Sequence, residues 1–172
     1  YVSGYSLLLE GKAQPLIDWL LALPRQIVVV FDPGPLVKAP ESALMRALLP
    51  RIDIWTSNGP EALAFTGAAN IALPALNQYL PAETLLVVRD GPNGCWVGRA
   101  GQIEHVPGFK VQAVDSNGAG DAHAGVFIAG LAAGLKPAAA AQRANAAAAL
   151  AVTRWGPATS PGTAEVDALL TE

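Results

Sequence analysis

Short apolar runs fix what this chain can become. Ile27 to Phe31 and Thr84 to Val88 are continuous, without the polar alternation of a half-exposed strand, and Ile52 to Trp55, which carries Asp53, reads as a strand between them. Such runs predict strands buried on both faces. Helical spacing fills the gaps between them. Leu16, Ile17, Leu20 and Leu23 recur at that spacing over 14–23, and Pro24 ends the segment. Glu41 to Leu49 is predicted helical and closed by Pro50. Pro60 to Thr66 is a short helix ending at Gly67, and Ile71 to Leu80 is a further helical piece. Tyr1 to Leu9 reads as a short strand with its following loop. Strand and helix in alternation imply right-handed crossovers and a mostly parallel sheet with helices on both faces.

The rhythm changes after Val88. Gly94 to Gly98, Gln102 to Val106 and Phe109 to Val114 read as strands joined by glycine-bearing turns. From Asp115 the chain is helical almost to its end, over Ala119 to Ala133, Pro137 to Thr153 and Thr163 to Leu170. No repeat or linker marks a second domain, so residues 1–172 are expected to form a single α/β domain.

Composition narrows the function classes. Apolar residues make up 52% and charged residues 15% of the 172, which excludes disorder. A net charge of −3 gives no basic face for nucleic acid or an anionic membrane. The longest uncharged stretch, Ala62 to Ala82, is broken by Gly67, Asn70, Pro74, Asn77, Gln78 and Pro81, so no membrane span is expected. One cysteine, Cys95, excludes an intrachain disulfide framework, and a cytoplasmic protein is the natural expectation. Cys95 itself reads as a buried, inert thiol, and Trp55, Trp96 and Trp155 as core or interface. Tyr1 opens directly into an apolar segment, as expected of a fragment or a processed chain.

In parallel α/β sheets, ligands bind beyond the carboxyl ends of the strands. Polar loops follow the strands here at Asp32 to Pro35, Thr56 to Glu61, Arg89 to Gly94 and Asp115 to Asp121. The last is the most informative: Asp115-Ser116-Asn117-Gly118-Ala119-Gly120-Asp121. Small residues at 118–120 admit close backbone approach, and a helix start offers unpaired amides and a positive dipole end. That combination suits phosphate. Asp121 makes chemical sense there if it faces a hydroxyl that attacks the phosphate. The same string also suits a tight turn with an acidic residue favouring the helix dipole.

The string resembles the Asp-Thr-x-Gly-Ala-Gly-Asp signature of the ribokinase/PfkB family of carbohydrate kinases, with Ser116 in the threonine's place. The resemblance runs along most of the chain, in order. Phe31-Asp32-Pro33-Gly34-Pro35 resembles the family's Asp-Pro-x-x-Arg turn, with Leu36 where arginine is frequent. Asn58-Gly59-Pro60-Glu61 matches Asn-x-x-Glu, and Gly91-Pro92-Asn93-Gly94 matches the nucleotide-side Gly-x-x-Gly turn. Val106 to Val114, Ala144 to Ala147 and Thr153 to Pro157 are similar to family segments as well.

The resemblance implies a three-layer ribokinase-like fold and ATP-dependent phosphorylation of a hydroxyl on a sugar, nucleoside or related alcohol. It implies Asp121 as catalytic base, with the Gly118, Ala119 and Gly120 amides as anion hole. The transition state of such a transfer is loose, so positioning and charge stabilisation dominate and an ordinary carboxylate suffices as base. Asn58 and Glu61 are implied to hold magnesium and phosphate through water, and the same pair reads independently as a helix capping box. Asp115 resembles the aspartate that binds a monovalent cation such as K+, completed by the loop Thr153 to Ser160. Arg89, Gly91, Gly94, Val111 and Asn145 are implied on the nucleotide side. Arg89 reads equally as half of a solvated pair with Asp90, and Asn145 as a polar helix residue bonded to a neighbouring loop. His123 lies two positions past Asp121, a helical step that points it away, so it is expected to be a packing or substrate-side residue rather than an acid or base.

The family's Gly-Gly sugar-side signature and its small β lid have no counterpart in this sequence. The expectation is therefore the nucleotide-binding portion of a kinase, inactive alone, whose full-length parent could form a homodimer. Two other readings stay open at this point. One is a non-catalytic nucleotide-binding or regulatory module on the same fold. The other is a dinucleotide-binding oxidoreductase domain, which Ser3 to Leu8 does not support because it lacks the glycine fingerprint.

Overall fold

The structure is a computed structural model that describes residues 1–9, 11–35, 41–69 and 73–171. The chain resolves into two compact units. The first comprises Tyr1–Arg89 with Gly98–Ile103, the second Asp90–Val97 with Glu104–Glu172. The fold is mostly parallel α/β with a sheet of six strands in chain order.

The first unit holds β1 (Val2–Ser3), β2 (Val30–Asp32), β3 (Ile54–Asn58) and β4 (Leu85–Arg89). All three pairings are parallel, with Val2 opposite Phe31, Phe31 opposite Trp55, and Asn58 opposite Arg89. Between these strands run α1 (Ala13–Ala22), α2 (Ala43–Leu48), α3 (Gly59–Thr66) and α4 (Leu73–Leu76). Helix α1 buries Ala13, Ile17 and Leu20, the four-and-three spacing of one face. Ser42 caps α2 by accepting the Met45 N–H at 3.2 Å. Gly67 closes α3 in the left-handed region at φ 66°, where a side chain would be strained. The core carries a chain of aromatic contacts. Phe31 meets Trp55 at 5.6 Å, Trp55 meets Phe65 at 4.7 Å, and Phe65 meets Tyr79 at 5.8 Å. The buried Trp55 indole N–H is satisfied by Ser57 Oγ at 3.0 Å.

One buried cation fastens the amino ends of β2 and β3. The Arg51 guanidinium, 2% exposed, donates to Asp53 Oδ2 at 2.7 Å and to the Ile27 carbonyl at 2.6 Å. Asp53 Oδ2 also accepts the Val29 N–H at 2.7 Å. This arrangement explains a departure from the sequence expectation. The run Ile27 to Phe31 is not buried throughout: Ile27 and Val28 are 46% and 58% exposed. The Ile27 N–H turns back to Pro24 O and its carbonyl is held by Arg51, so strand pairing starts only at Val30. Of the helix expected over Ile71 to Leu80, the described residues hold α4 and the turns after it. Residues 70–72 lie outside those described, as does Leu36.

Strands β5 (Gly94–Arg99) and β6 (Gln102–Pro107) form a two-residue hairpin. Ala100 and Gly101 both take positive φ, 52° and 78°, the geometry of a type I′ turn. In the second unit, α5 (Ala119–Ala132), α6 (Pro137–Ala151) and α7 (Thr163–Leu170) follow the expected bounds closely. Helices α5 and α6 meet through small residues: a methyl added at Gly130 would stand 3.1 Å from the Ala140 methyl. Ala146, Ala147 and Val166 form a core against which Phe109, Val126 and Leu150 pack. Phe109 to Val114, by contrast, is not a strand. Its apolar alternation has no neighbouring ladder to join. Val111 and Val114 are exposed, and the Val114 and Asp115 amides fasten instead to the Val152 carbonyl at 2.7 and 3.1 Å. Cys95 is buried as expected, whereas Trp155 is 80% exposed and belongs to no core. No helix among the described residues is long and apolar enough to cross a membrane.

The Arg51 fastening is testable. Asp53→Ala strands a buried guanidinium and an amide at once, and we expect a loss of about 2 kcal/mol in urea unfolding at neutral pH, the scale of a charged hydrogen bond left unmade. A loss under about 0.5 kcal/mol would contradict the role assigned to Arg51.

Candidate active site

The first unit brings four side chains together where its parallel strands end. Asp32 closes β2, Thr56 lies in β3, Arg89 closes β4, and Glu61 sits in the first turn of α3. The Arg89 guanidinium donates to Thr56 Oγ1 at 2.8 Å and pairs with Asp32 Oδ2 at 3.3 Å and Glu61 Oε2 at 3.6 Å. Its side chain and those of both carboxylates are only 11–13% exposed. Asp32 is held from its other oxygen by the Gly34 N–H at 3.0 Å. Arg89 is thus no solvated partner of Asp90. Nor does it extend as an open cation, because two acids and a hydroxyl already engage it.

Asn58 and Glu61 form a complete capping box. Asn58 Oδ1 accepts the Glu61 N–H, and Glu61 Oε2 accepts the Asn58 N–H, both at 2.8 Å. Pro60 fits the first turn, where no amide donor is needed. The capping reading is therefore realised. A hydrated divalent ion asks for few protein ligands, so the cap does not bar Asn58 and Glu61 from facing one. Among the described residues no group of three or more His, Cys, Asp or Glu side chains gathers as a metal cluster.

The second unit carries the other expected residues. Gly91 and Gly94 bound a single 3₁₀ turn between the Asp90 amide and β5. Gly94 takes φ 102°, and a methyl there would stand 2.1 Å from the Val106 carbonyl and 2.5 Å from the Gly108 amide. The end of β6 presses directly on this turn, so Gly94 is required by the chain's own packing. Val111 is exposed in the irregular segment that follows.

At the head of α5, Gly118 takes φ 76°, and a methyl there would stand 2.0 Å from the Pro157 carbonyl. No side chain caps this helix. The Ala122 amide makes its first helical bond, to Gly118 O at 2.9 Å, so the Gly120 and Asp121 amides precede the ladder. Asp121 is exposed in that first turn. Ahead of the helix, Asp115 ties two loops together. Its oxygens accept the Asn117 and Gly156 amides, each at 3.0 Å, and these bonds hold its carboxyl below the usual carboxylate range.

Asn145 has the second of its two expected roles. It is 5% exposed; its amide donates to the Val106 and Pro107 carbonyls at 3.0 and 3.1 Å, and its oxygen lies 3.1 Å from His123 Nε2. His123, 2% exposed and stacked on Phe127, packs as expected. Sequence reasoning missed Thr56 and the carboxylate of Asp32 as members of a cluster. The available signal was Leu36, which leaves the Asp32 turn without its frequent arginine while Arg89 supplies a cation from another strand.

Comparisons with known proteins place the chain among similar sequences and folds. The chain is 31% identical over 160 residues to the uncharacterised sugar kinase YegV of Escherichia coli strain K12, covering 91% of this chain and 49% of that protein. It is 33% identical over 142 residues to the ribokinase of Haemophilus influenzae, covering 79% and 44%. The chain therefore spans about half the length of these curated relatives. Among solved structures, an E. coli protein assigned as a ribokinase II and crystallised with ATP and Mg2+ superposes with a TM-score of 0.83. The identity is 26%, over 98% of this chain and 57% of the other. The fold is thus ribokinase-like, and the curated relatives are sugar kinases. The sequence profile of the pfkB family carbohydrate kinases matches residues 1–164, and the chain belongs to that family.

Proposed function

We propose that this chain is the nucleotide and base half of an ATP-dependent kinase that phosphorylates a hydroxyl of a sugar, nucleoside or related alcohol. The observation that carries the reading is the head of α5. There, amides that precede the helical ladder stand beside an exposed carboxylate on a glycine-bent loop. A carboxylate at an anion-favouring helix start gains nothing by binding phosphate. It gains a role by accepting the proton of an attacking hydroxyl while the Gly118–Gly120 backbone steadies the transferred group. Asp121 is thus the base. Likeness to a protein solved with ATP and Mg2+ supports those two as cofactors. Bound magnesium would supply positive charge that offsets the charge of the nucleotide phosphates. Asn58 and Glu61 are the residues that fit it, through water, from a cap whose geometry is already fixed.

Gly91, Gly94 and Val111 shape the nucleotide side, and Asn145 contributes by holding the Val106–Pro107 backbone. The loop closed by Asp115 and Gly156 is the proposed monovalent-cation site. The acceptor-selecting residues lie outside this half, so we expect the 172 residues alone to phosphorylate no sugar. Positioning of the acceptor is worth roughly 7–11 kcal/mol of barrier, and without it nothing measurable remains. A reducing, cytoplasmic setting and a homodimeric complete enzyme complete the reading.

Two experiments test it. In the complete enzyme, Asp121→Asn should lower kcat by about a thousandfold and leave the ATP Kd within about twofold. Turnover within tenfold of wild type, a barrier change of only ~1.4 kcal/mol, removes Asp121 from the role of base.

The second concerns Asp115 and pH. Its folded carboxyl titrates below the ordinary carboxylate value, so its stabilising effect is full above that value and is lost as pH falls through the lowered one. Asp115→Asn should therefore melt lower than wild type from pH 7 down to about 5, with the gap closing below about pH 4. Melting curves that differ equally at pH 7 and pH 2.5 would show that ionisation is not the cause.

A further inference from the structure

The Arg89 guanidinium is the strongest charge-bearing feature that the reading above does not explain. A cation next to a nucleotide turn invites assignment as a phosphate ligand. Its geometry argues otherwise. One terminal nitrogen serves Thr56 and Asp32, and the other serves Asp32 and Glu61, in a setting only 13% exposed. To reach a phosphate, Arg89 must abandon two carboxylates that would then be nearly buried, mutually repelling and uncompensated. Glu61, in turn, presents a single oxygen, Oε2, both to Arg89 and to the Asn58 amide. The guanidinium therefore adds a second hold on the Glu61 oxygen that the cap already engages, and bonds across the carboxyl ends of β2, β3 and β4.

We infer that Arg89 is a positioning residue: it acts through Glu61 and Asp32, holding the Glu61 carboxylate in its cation-facing pose, and makes no contact with the nucleotide phosphates. The inference rests on the proposed role of Glu61 toward magnesium. It requires the planar fork, because the three partners, on two strands and a helix, are engaged through two separate terminal nitrogens where an ammonium offers one.

The test uses the 172-residue chain and ATP, followed by amide NMR shifts, which register millimolar binding, once with Mg2+ and once with EDTA. Wild type should bind ATP more tightly with Mg2+, with the magnesium-dependent shifts at Asn58 and Glu61. Arg89→Gln should weaken binding in Mg2+ at least tenfold, to the EDTA level of wild type, and leave binding in EDTA within twofold. Arg89→Lys should not rescue it. Asp32→Asn keeps an acceptor for the Gly34 amide and should give a smaller loss of the same kind, about threefold, which covers the case of an unfolded Arg89 variant. An equal loss with and without Mg2+ makes Arg89 a phosphate ligand and overturns the inference, leaving the kinase reading intact. Full rescue by lysine, unchanged binding in Arg89→Gln, or a wild-type affinity indifferent to Mg2+ overturns it as well. No ATP-induced shift in wild type under either condition overturns the proposed nucleotide role together with it.

Discussion

Parallel pairing is the constraint from which the first unit follows. A strand that pairs parallel to its predecessor must begin again at the same edge, so each connection crosses back over a face and each strand exits at the same side. With β1 to β4 in chain order, the residues that end β2, β3 and β4 line up as neighbours. Asn58 and Arg89 are in register, and Asp32 ends the adjoining strand. Charges that lie 57 positions apart in sequence thereby become hydrogen-bonded partners. The opposite ends of β2 and β3 show the complementary solution. There a single arginine absorbs loose carbonyls and a carboxylate, and no ligand chemistry is offered.

The elements most legible in the sequence were those specified locally. Helix α7 occupies the expected residues, and α3 runs from its Asn-Pro-Glu cap to its glycine stop because both ends are written in side chains. The continuous run at 84–88 became β4 for a similarly simple reason: its strand is covered on both faces. The failures were non-local. Phe109 to Val114 has a strand's alternation and no ladder to join, and only tertiary structure decides that. Ile27 and Val28 have a strand's composition but lie in a turn held by an arginine 24 positions further on.

The candidate site divides along the same line. The Asn58–Glu61 box and the Asp121 helix start could be read from spacing, because capping and helix-dipole chemistry act within one turn. The glycines at 94 and 118 were legible as backbone bends. What they accommodate was not: the carbonyls of Val106 and Pro157 approach from distant segments. The hydrogen bonds of the Asn145 amide and the Arg89 guanidinium were not legible in the sequence. In both cases the partners, backbone carbonyls and His123 for one and Thr56 and two acids for the other, come from distant positions that no short motif encodes.

The alanine-lined contact between α5 and α6 has a thermodynamic consequence. Ala140, Ala141, Ala144 and Ala147 are fully buried, yet each hides little hydrocarbon compared with a leucine or phenylalanine. Their helices gain from close backbone approach and dispersion more than from removal of apolar surface from water. The heat-capacity change of unfolding scales with that surface. The helical part of the second unit therefore contributes less heat capacity per residue than the aromatic core of the first, and its free energy of unfolding curves more gently with temperature. Cooling, which weakens hydrophobic burial, should tax the Trp55 core before it loosens the helix pair that begins at Ala119.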